Sequence, residues 1–431
     1  MSPQTRRRFL SGCGSAVATL GALAAVGVRR TSASPSNNIR VALVGSGGMG
    51  QDHLGRLSGR PEVTVACLCD VDEGRLGEAS KIVESAGGLK PKLVGDFRRV
   101  RDDSDIDVVI IATPHHWHCP IAIPMLEAGK DLYVEKPASH VFKEGRALVE
   151  AARKYKRVVQ HGTQMRSSAV TAKAAEVLAS GVLGTIKMTK AWNVQRHNHR
   201  QSVPDGPTPG GVNYDMWLGP APARPFNVNR FHENWNWYRD YGNGDIGGDG
   251  VHDLDMARWG LGVTTHPVRI TAHGSRIDLE GEREFPDNMM VAYHYEEGKV
   301  LLYEDRGWTP YGMEGFDSGN AFYGTKGHMI FSRRGYFQAY IGGQKGPGMR
   351  GDRGQDRHMD SFLKHVRDRT TPEASAEAAH LSCALVHLGE TAYRAGRVLN
   401  FDPATETVRN DEEANRLLTK EYRAPWRVPA P

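Results

Sequence analysis

The chain has 431 residues, of which 39% are hydrophobic and 24% charged, an ordinary globular composition with room for two domains. Its formal net charge of +5 is matched by Arg6, Arg7, Arg8, Arg29 and Arg30, because residues 1–33 contain no acid. The remainder is therefore close to neutral, and basicity gives no support to a nucleic-acid partner.

Thr5-Arg6-Arg7-Arg8-Phe9-Leu10-Ser11, followed by an apolar run over 16–28, has the charged-then-hydrophobic order of a twin-arginine export signal. The run is too short and too rich in Gly and Ala to hold in a bilayer, so removal near Thr31-Ser32-Ala33 is expected and no stable membrane anchor is. Leu10-Ser11-Gly12-Cys13 imitates a lipoprotein box but precedes the hydrophobic run. The expected partner at this stage is the twin-arginine translocase, with a periplasmic or otherwise extracytoplasmic destination. Cys67, Cys69, Cys119 and Cys383 show neither CxxC nor zinc spacing and read as buried thiols, with a disulfide left open.

Residues 39–44 form a β-rich run that meets Gly45-Ser46-Gly47-Gly48-Met49-Gly50 and then a helix-compatible stretch over 51–58. This strand, glycine turn and helix start can seat a pyrophosphate on the helix N-terminus. A second strand over 63–68 closes on Asp70, 20 residues after Gly50, where an acid accepts ribose hydroxyls. With no arginine in Asp70-Val71-Asp72 to hold a 2′-phosphate, NAD is favoured over NADP. Strand, helix and strand over 108–112, 120–128 and 132–134 continue a doubly wound parallel sheet. Glu135-Lys136-Pro137 follows at its carboxyl edge, where Lys136 can face nicotinamide and substrate together.

Between Trp192 and Trp259 lie five of the eight tryptophans with His197, His199, Tyr214, Phe231, His232, Tyr238 and Tyr241, in a long, poorly periodic stretch. It reads as an elaborated loop whose rings either stack on sugar or pack the loop against the protein. Runs over 269–272, 289–295 and 299–303 alternate like half-exposed strands, with Gly298 at a hairpin turn. Helices are expected over 360–368 and 376–396, the second packing back on the first domain. The last residues, 401–431, read as an extended tail able to wrap a partner subunit. The pairs His115-His116-Trp117-His118 and His197-Asn198-His199 resemble ligand clusters, but Arg196 and Arg200 flank the second and no metal is expected.

The Gly45-Gly47-Gly50 turn, Ala112-Thr113-Pro114 with His118, Glu135-Lys136-Pro137 and His252-Asp253-Leu254-Asp255 together resemble the glucose-fructose oxidoreductase / inositol dehydrogenase / rhizopine catabolism (Gfo/Idh/MocA) family. The resemblance implies an α/β protein: a Rossmann domain over 34–159 and, over 160–400, an α/β domain whose open, mainly antiparallel sheet often makes a dimer or tetramer interface. It implies hydride transfer between nicotinamide and a hydroxyl carbon of a sugar or polyol, with Lys136 and His252 catalytic. It further implies cofactor contacts from Gly45, Ser46, Gly47, Met49, Gly50, Asp70, Thr113, Pro114, His118, Glu135 and Lys136. Substrate contacts are expected from Arg166 in Gln160-His161-Gly162-Thr163-Gln164-Met165-Arg166, and from Trp192, Asp249 and His252. The family's aspartate four residues before the histidine is Gly248 here, so either Asp249 or Asp245 substitutes, or Lys136 and His252 relay the proton alone.

The leading expectation is an exported oxidoreductase of sugars with tightly held NAD, since a releasable cofactor would be lost outside the cytoplasm. An NAD-dependent glycosidase acting by transient oxidation, elimination and hydration is the alternative, and a non-catalytic nucleotide or sugar sensor a third.

Overall fold

Short Val-, Ile- and Leu-rich runs buried on both faces build the first sheet, as parallel strands between helices require. The computed structural model describes residues 38–197, 201–278 and 281–428; the arginine leader, Cys13 and His199 lie outside them. The strands are β1 (Ile39–Val44), β2 (Val63–Cys69), β3 (Lys92–Val94), β4 (Val108–Ile111), β5 (Asp131–Val134) and β6 (Val159–His161). Helices α1 (Gly48–Leu57), α2 (Glu73–Ser85), α3 (Arg98–Arg101), α4 (His118–Glu127) and α5 (Phe142–Tyr155) connect them. The spatial order is β3-β2-β1-β4-β5-β6, all parallel, so the chain reverses its winding between β1 and β4 and opens a crevice at their carboxyl ends.

The second half begins with α6 (Ala169–Ala179), β7 (Ile186–Asn193), α7 (Tyr214–Leu218), α8 (Gly244–Gly248) and α9 (Gly250–Leu261). Next come β8 (Arg269–Ser275), β9 (Asn288–His294), β10 (Val300–Arg306), β11 (Ser318–Gly324), β12 (Gly327–Ser332), β13 (Tyr336–Ile341) and β14 (Gln344–Arg350). The chain closes with α10 (Gln355–Asp368), α11 (Ala376–Ala395), β15 (Leu399–Asp402), β16 (Thr407–Val408) and α12 (Glu412–Leu417). These strands form a ten-stranded sheet, β14-β13-β12-β11-β7-β10-β9-β8-β15-β16, antiparallel apart from the β7–β10 pair. The architecture is the expected Rossmann sheet joined to an open, mainly antiparallel one.

Two late helices return to the first sheet. Met359, Phe362, Leu363 and Val366 of α10 join the apolar layer made with α1 and α2, while α11 packs with α4 and α5 in the layer on the other face. Gly145 of α5 has no side chain because His380 of α11 fills the space: a Cβ there would lie 2.5 Å from its Nδ1.

The tail departs from the extended form expected of it. It adds β15 to the edge of β8, turns through β16 and α12, and packs against its own chain. Trp426 sits on Phe97 and Trp117, the Tyr422 hydroxyl donates to Glu144, and Glu406 accepts from Arg146, His266 and His380. These contacts exist because the tail leaves α11 beside α5, within reach of the first domain. No helix among the described residues is long and apolar enough to cross a membrane, and Cys67, Cys69, Cys119 and Cys383 are buried free thiols.

Candidate functional site

The turn after β1 is shaped by what backbone alone can occupy. Gly45 has φ +96°, and a Cβ on it would lie 2.6 Å from the Ala112 backbone; a Cβ on Gly50 would overlap the Gly45 carbonyl. Gly47 ends the turn as the N-cap of α1 with no side-chain cap, leaving first-turn N–H groups for an anion. Asp70, at the end of β2, accepts from the Ser46 N–H at 2.5 Å and from the Asp72 N–H at 3.0 Å. Burial raises its carboxyl above the ordinary value.

Gly45, Gly47, Asp70, Thr113 and Pro114 line one cavity of about 100 Å³ that opens to solvent. The hydroxyls of Ser46 and Thr113 are buried with no protein partner among the described residues. Free donors, a glycine turn and a ribose-side acid form a donor set that fits a dinucleotide. Met49 is half-exposed on the first turn of α1. Arg75, one turn into α2, also lines this cavity, outside the 70–72 segment where the sequence reading sought a phosphate-binding arginine.

The opposite wall comes from the elaborated loop: Met216, Trp217, His232 and Trp235 complete the lining. The loop is tied down beside the end of β2 by Glu73 N–H to Gly211 O at 3.0 Å, Asn213 N–H to Val71 O at 2.8 Å and a 2.9 Å contact between His232 Nε2 and Asp72. Arg423 of the tail holds the loop in turn, binding Asp215 and the carbonyls of Gly219 and Pro220.

Past β5, the three residues Glu135, Lys136 and Pro137 divide their work. Glu135, expected at the cofactor, is buried with one oxygen 2.8 Å from His53 Nε2 and the other accepting the Lys136 N–H at 3.1 Å. Burial raises its carboxyl, but His53 and Lys136 outweigh that and hold it at about 2. Both of its oxygens are thus engaged within the protein, and it orients the loop from beneath. His118 is likewise engaged within the protein: its ring is buried, with Nδ1 2.7 Å from Pro137 O and Nε2 2.9 Å from Thr113 O. It ties the β4 end to the lysine loop and has no nitrogen left for a nucleotide.

The Lys136 ammonium donates to the Gly248 carbonyl at 2.6 Å and stands 3.9 Å from Asp249 Oδ1. That carbonyl is free because α8 and α9 are separate helices: the His252 N–H bonds the Asp249 carbonyl, not the one before it. An aspartate cannot replace Gly248 without movement, since its Cβ would lie 2.7 Å from Asn236 Nδ2, which donates to Gly244 O.

Between the two candidate acids the structure makes a clear choice. Asp249 faces Lys136, whereas Asp245 is 2.9 Å from His197 Nε2. Asp249 also accepts from Gln195 at 2.7 Å and pairs with Arg333 at 3.2 Å. Burial raises its carboxyl, but Arg333, Lys136 and His252 together hold it well below the carboxylate range. His252 is buried nearby; burial, then Lys136 and Arg333, hold its imidazole down at about 3, so the ring is neutral at neutral pH. The neighbouring Asp253 is wholly buried and pushed well above the carboxylate range by burial.

Two expected substrate contacts lie elsewhere. Arg166 forms a buried bidentate pair with Asp255, at 2.8 and 2.7 Å, and Ser382 donates to the same carboxylate. Its guanidinium is spent on anchoring α9 to the crossover. Trp192 points into the core on β7 among Val194, Ala321 and Ile330, its indole N–H donating to Phe316 O. It lies on the face of β7 opposite Thr189, Ala191 and Asn193, where Met313 and Phe316 cover it. Gln195 and His197, beyond the same strand end, reach the site instead; their i, i+2 spacing from Asn193 was the available signal. Arg333 was missed because it lies on a hairpin far away in sequence. His115 contacts Asn243 and the edge of Trp235, and His116 contacts the carbonyls of Trp217 and Tyr241.

Residues 39–163 match the oxidoreductase family model for an NAD-binding Rossmann fold, and residues 164–428 match that family's C-terminal alpha/beta domain. Inositol 2-dehydrogenase of Salmonella typhimurium is 29% identical over 176 residues, 40% of this chain and 50% of the relative. A glycosyl hydrolase family 109 protein of Shewanella pealeana is 33% identical over 120 residues, 27% of this chain and 26% of the relative. The chain thus spans about half the length, or less, of these curated relatives. Levoglucosan dehydrogenase in complex with NADH and levoglucosan shares the fold, with a TM-score of 0.66 at 19% identity, covering 84% of this chain and 99% of that one.

Proposed function

The chain belongs to the Gfo/Idh/MocA oxidoreductase family, and from that premise we propose that it moves hydride to or from a hydroxyl carbon of a sugar, polyol or sugar derivative, using NAD. The observation that carries this reading is the approach of Lys136, on the loop after β5, to the Gly248 carbonyl and to Asp249, with His252 on the next turn of the chain at the start of α9. NAD, when bound, supplies the hydride acceptor. Gly47 and the start of α1 would hold its phosphates, and Asp70 its ribose. Lys136 moves the hydroxyl proton, Asp249 stays anionic and orients the ammonium, and neutral His252 accepts a hydrogen bond or proton from the same hydroxyl. The sugars named for relatives support carbohydrate as the substrate class.

The cofactor is held rather than exchanged in this reading. Support comes from the loop that walls the cavity, bonded to β2 and α2 on one side and clamped by Arg423 on the other. Such retention suits export through the twin-arginine route and a cycle in which one substrate returns the hydride that another gave. Denaturing the purified mature protein and quantifying the released nucleotide tests it: near one NAD(H) per chain without a 2′-phosphate is expected, and none would overturn retention.

A glycosidase cycle of oxidation, elimination, hydration and re-reduction is the second reading, favoured by the local match to a glycosyl hydrolase family 109 protein. Release of the aglycone from a chromogenic glycoside without net NADH would select it.

A further inference from the structure

The hairpin between β12 and β13 belongs to the ten-stranded sheet, yet one of its two arginines reaches the candidate centre. We propose that Arg333 is a positioning residue for proton transfer: it holds Asp249 from behind, fixing the carboxylate beside which Lys136 works. The inference rests on the oxidoreductase reading above.

Its geometry separates it from an ordinary surface ion pair. The Arg333 side chain is 12% exposed and spans three groups: Asp249 Oδ2 lies 3.2 Å from Nη2, and Nε donates to Ser318 Oγ at 2.9 Å with Asp253 Oδ2 at 3.5 Å. The planar fork reaches these partners together, which a lysine cannot do. Gln195 takes the same Asp249 oxygen from the strand side at 2.7 Å. The Asp249 side chain nevertheless keeps 33% exposure, and its other oxygen lies 3.9 Å from the Lys136 ammonium. Arg334, next in sequence, points away and pairs with Asp317.

The charges facing Asp249 come from every element around it. Lys136 stands on the loop after β5 with Glu135 beneath it, His252 and Asp253 on α9, His197 beyond β7 and Arg333 on the hairpin. Removing Arg333 deletes one of the two cations acting on His252 and loosens the carboxylate that stabilises its protonated form.

The test compares Arg333→Met, Arg333→Lys and Arg334→Ala, each first checked for folding by melting temperature and nucleotide content. Arg333→Met is expected to lower kcat by about 10- to 100-fold with KM for the sugar little changed, and to move the acid limb of the pH profile upward. The His252 ring resonance, which needs no turnover, is expected to titrate at higher pH in Arg333→Met, with Arg333→Lys intermediate and Arg334→Ala like the parent. If Arg333→Met fails to fold, Gln195→Leu, which removes the second support of Asp249, is expected to lower kcat in the same way. An unchanged profile and an unchanged His252 midpoint in a folded Arg333→Met, or an equal effect from Arg334→Ala, would overturn the proposal. Absence of turnover in the parent with every sugar would instead defeat the oxidoreductase reading, and the His252 midpoint would still decide the role of Arg333.

Discussion

Lys136 and Gly248 are joined by a 2.6 Å hydrogen bond from ammonium to backbone carbonyl, at the one place where the chain breaks between α8 and α9. Restoring the family aspartate by Gly248→Asp is therefore expected to harm the enzyme. The new Cβ would press on Asn236, costing about 1–3 kcal/mol of stability, and would disturb the carbonyl that holds Lys136. Thermal melting and kcat together check this; a faster, equally stable variant would contradict it.

Lys136→Ala is expected to lower kcat by roughly 10³-fold, the middle of the range for loss of a general acid or base. Nucleotide content should remain near the parent value, because the glycine turn and the loop wall that would hold the cofactor are built without Lys136. Single-turnover kinetics and cofactor release on denaturation measure the two effects separately.

Trp192→Ala is expected to act on stability, at about 3–5 kcal/mol for an emptied buried ring, while KM of the surviving protein stays within about threefold. Its buried ring and the lost bond to Phe316 O place the cost in the core. A large change in KM with unaltered melting would return Trp192 to the substrate cleft.

Acid should weaken the fold early. His115, His116, His118, His140, His161, His252, His358, His380 and His387 are all buried, and burial depresses each ring below its ordinary value, to about 3 for His116, His252 and His387 and about 4 for His161 and His358. The unfolded chain binds these protons near pH 6.5, so stability is fully present above that value and is lost as pH falls toward 4 and 3. Each histidine contributes a slope of about 1.4 kcal/mol per pH unit across that window. A flat melting temperature from pH 7 to 8 and a steep fall below 6.5 are expected; a decline that starts only below pH 4.5 would assign acid sensitivity to carboxylates.

Trp426→Ala and Arg423→Ala are expected to speed loss of nucleotide. Trp426 backs Phe97 and Trp117, both in the cavity wall, and Arg423 secures the loop that carries Met216 and Trp217. Nucleotide retained through prolonged dialysis, compared with the parent, is the measurement.

The sequence disclosed the first domain almost element by element, because buried parallel strands and a glycine turn leave local marks. Gly45, Gly47, Asp70, Thr113 and Pro114 fall on the cavity that the motif implied. Legibility ended where a role depends on direction in space. His118 and Glu135 carry the right motif but point their polar atoms at backbone and at His53, and Trp192 differs from Gln195 only by the side of β7 and its extension on which it lies. Arg333 has no local mark, since β11 to β14 join the site only through long-range pairing with β7.

Residues 422–426 finish the wall of a cleft whose floor is laid down by residue 121. Trp426, Arg423 and Tyr422 reach back to Trp117, the loop near Gly219 and Glu144, so the first domain lacks part of its enclosure until these residues have been made. A chain still on the ribosome can form the glycine turn but cannot yet close the cavity beside it. Order of manufacture thereby makes the closed cleft depend on residues 422–426, and a molecule cut before them would carry its defect some 300 residues away, in the half made first.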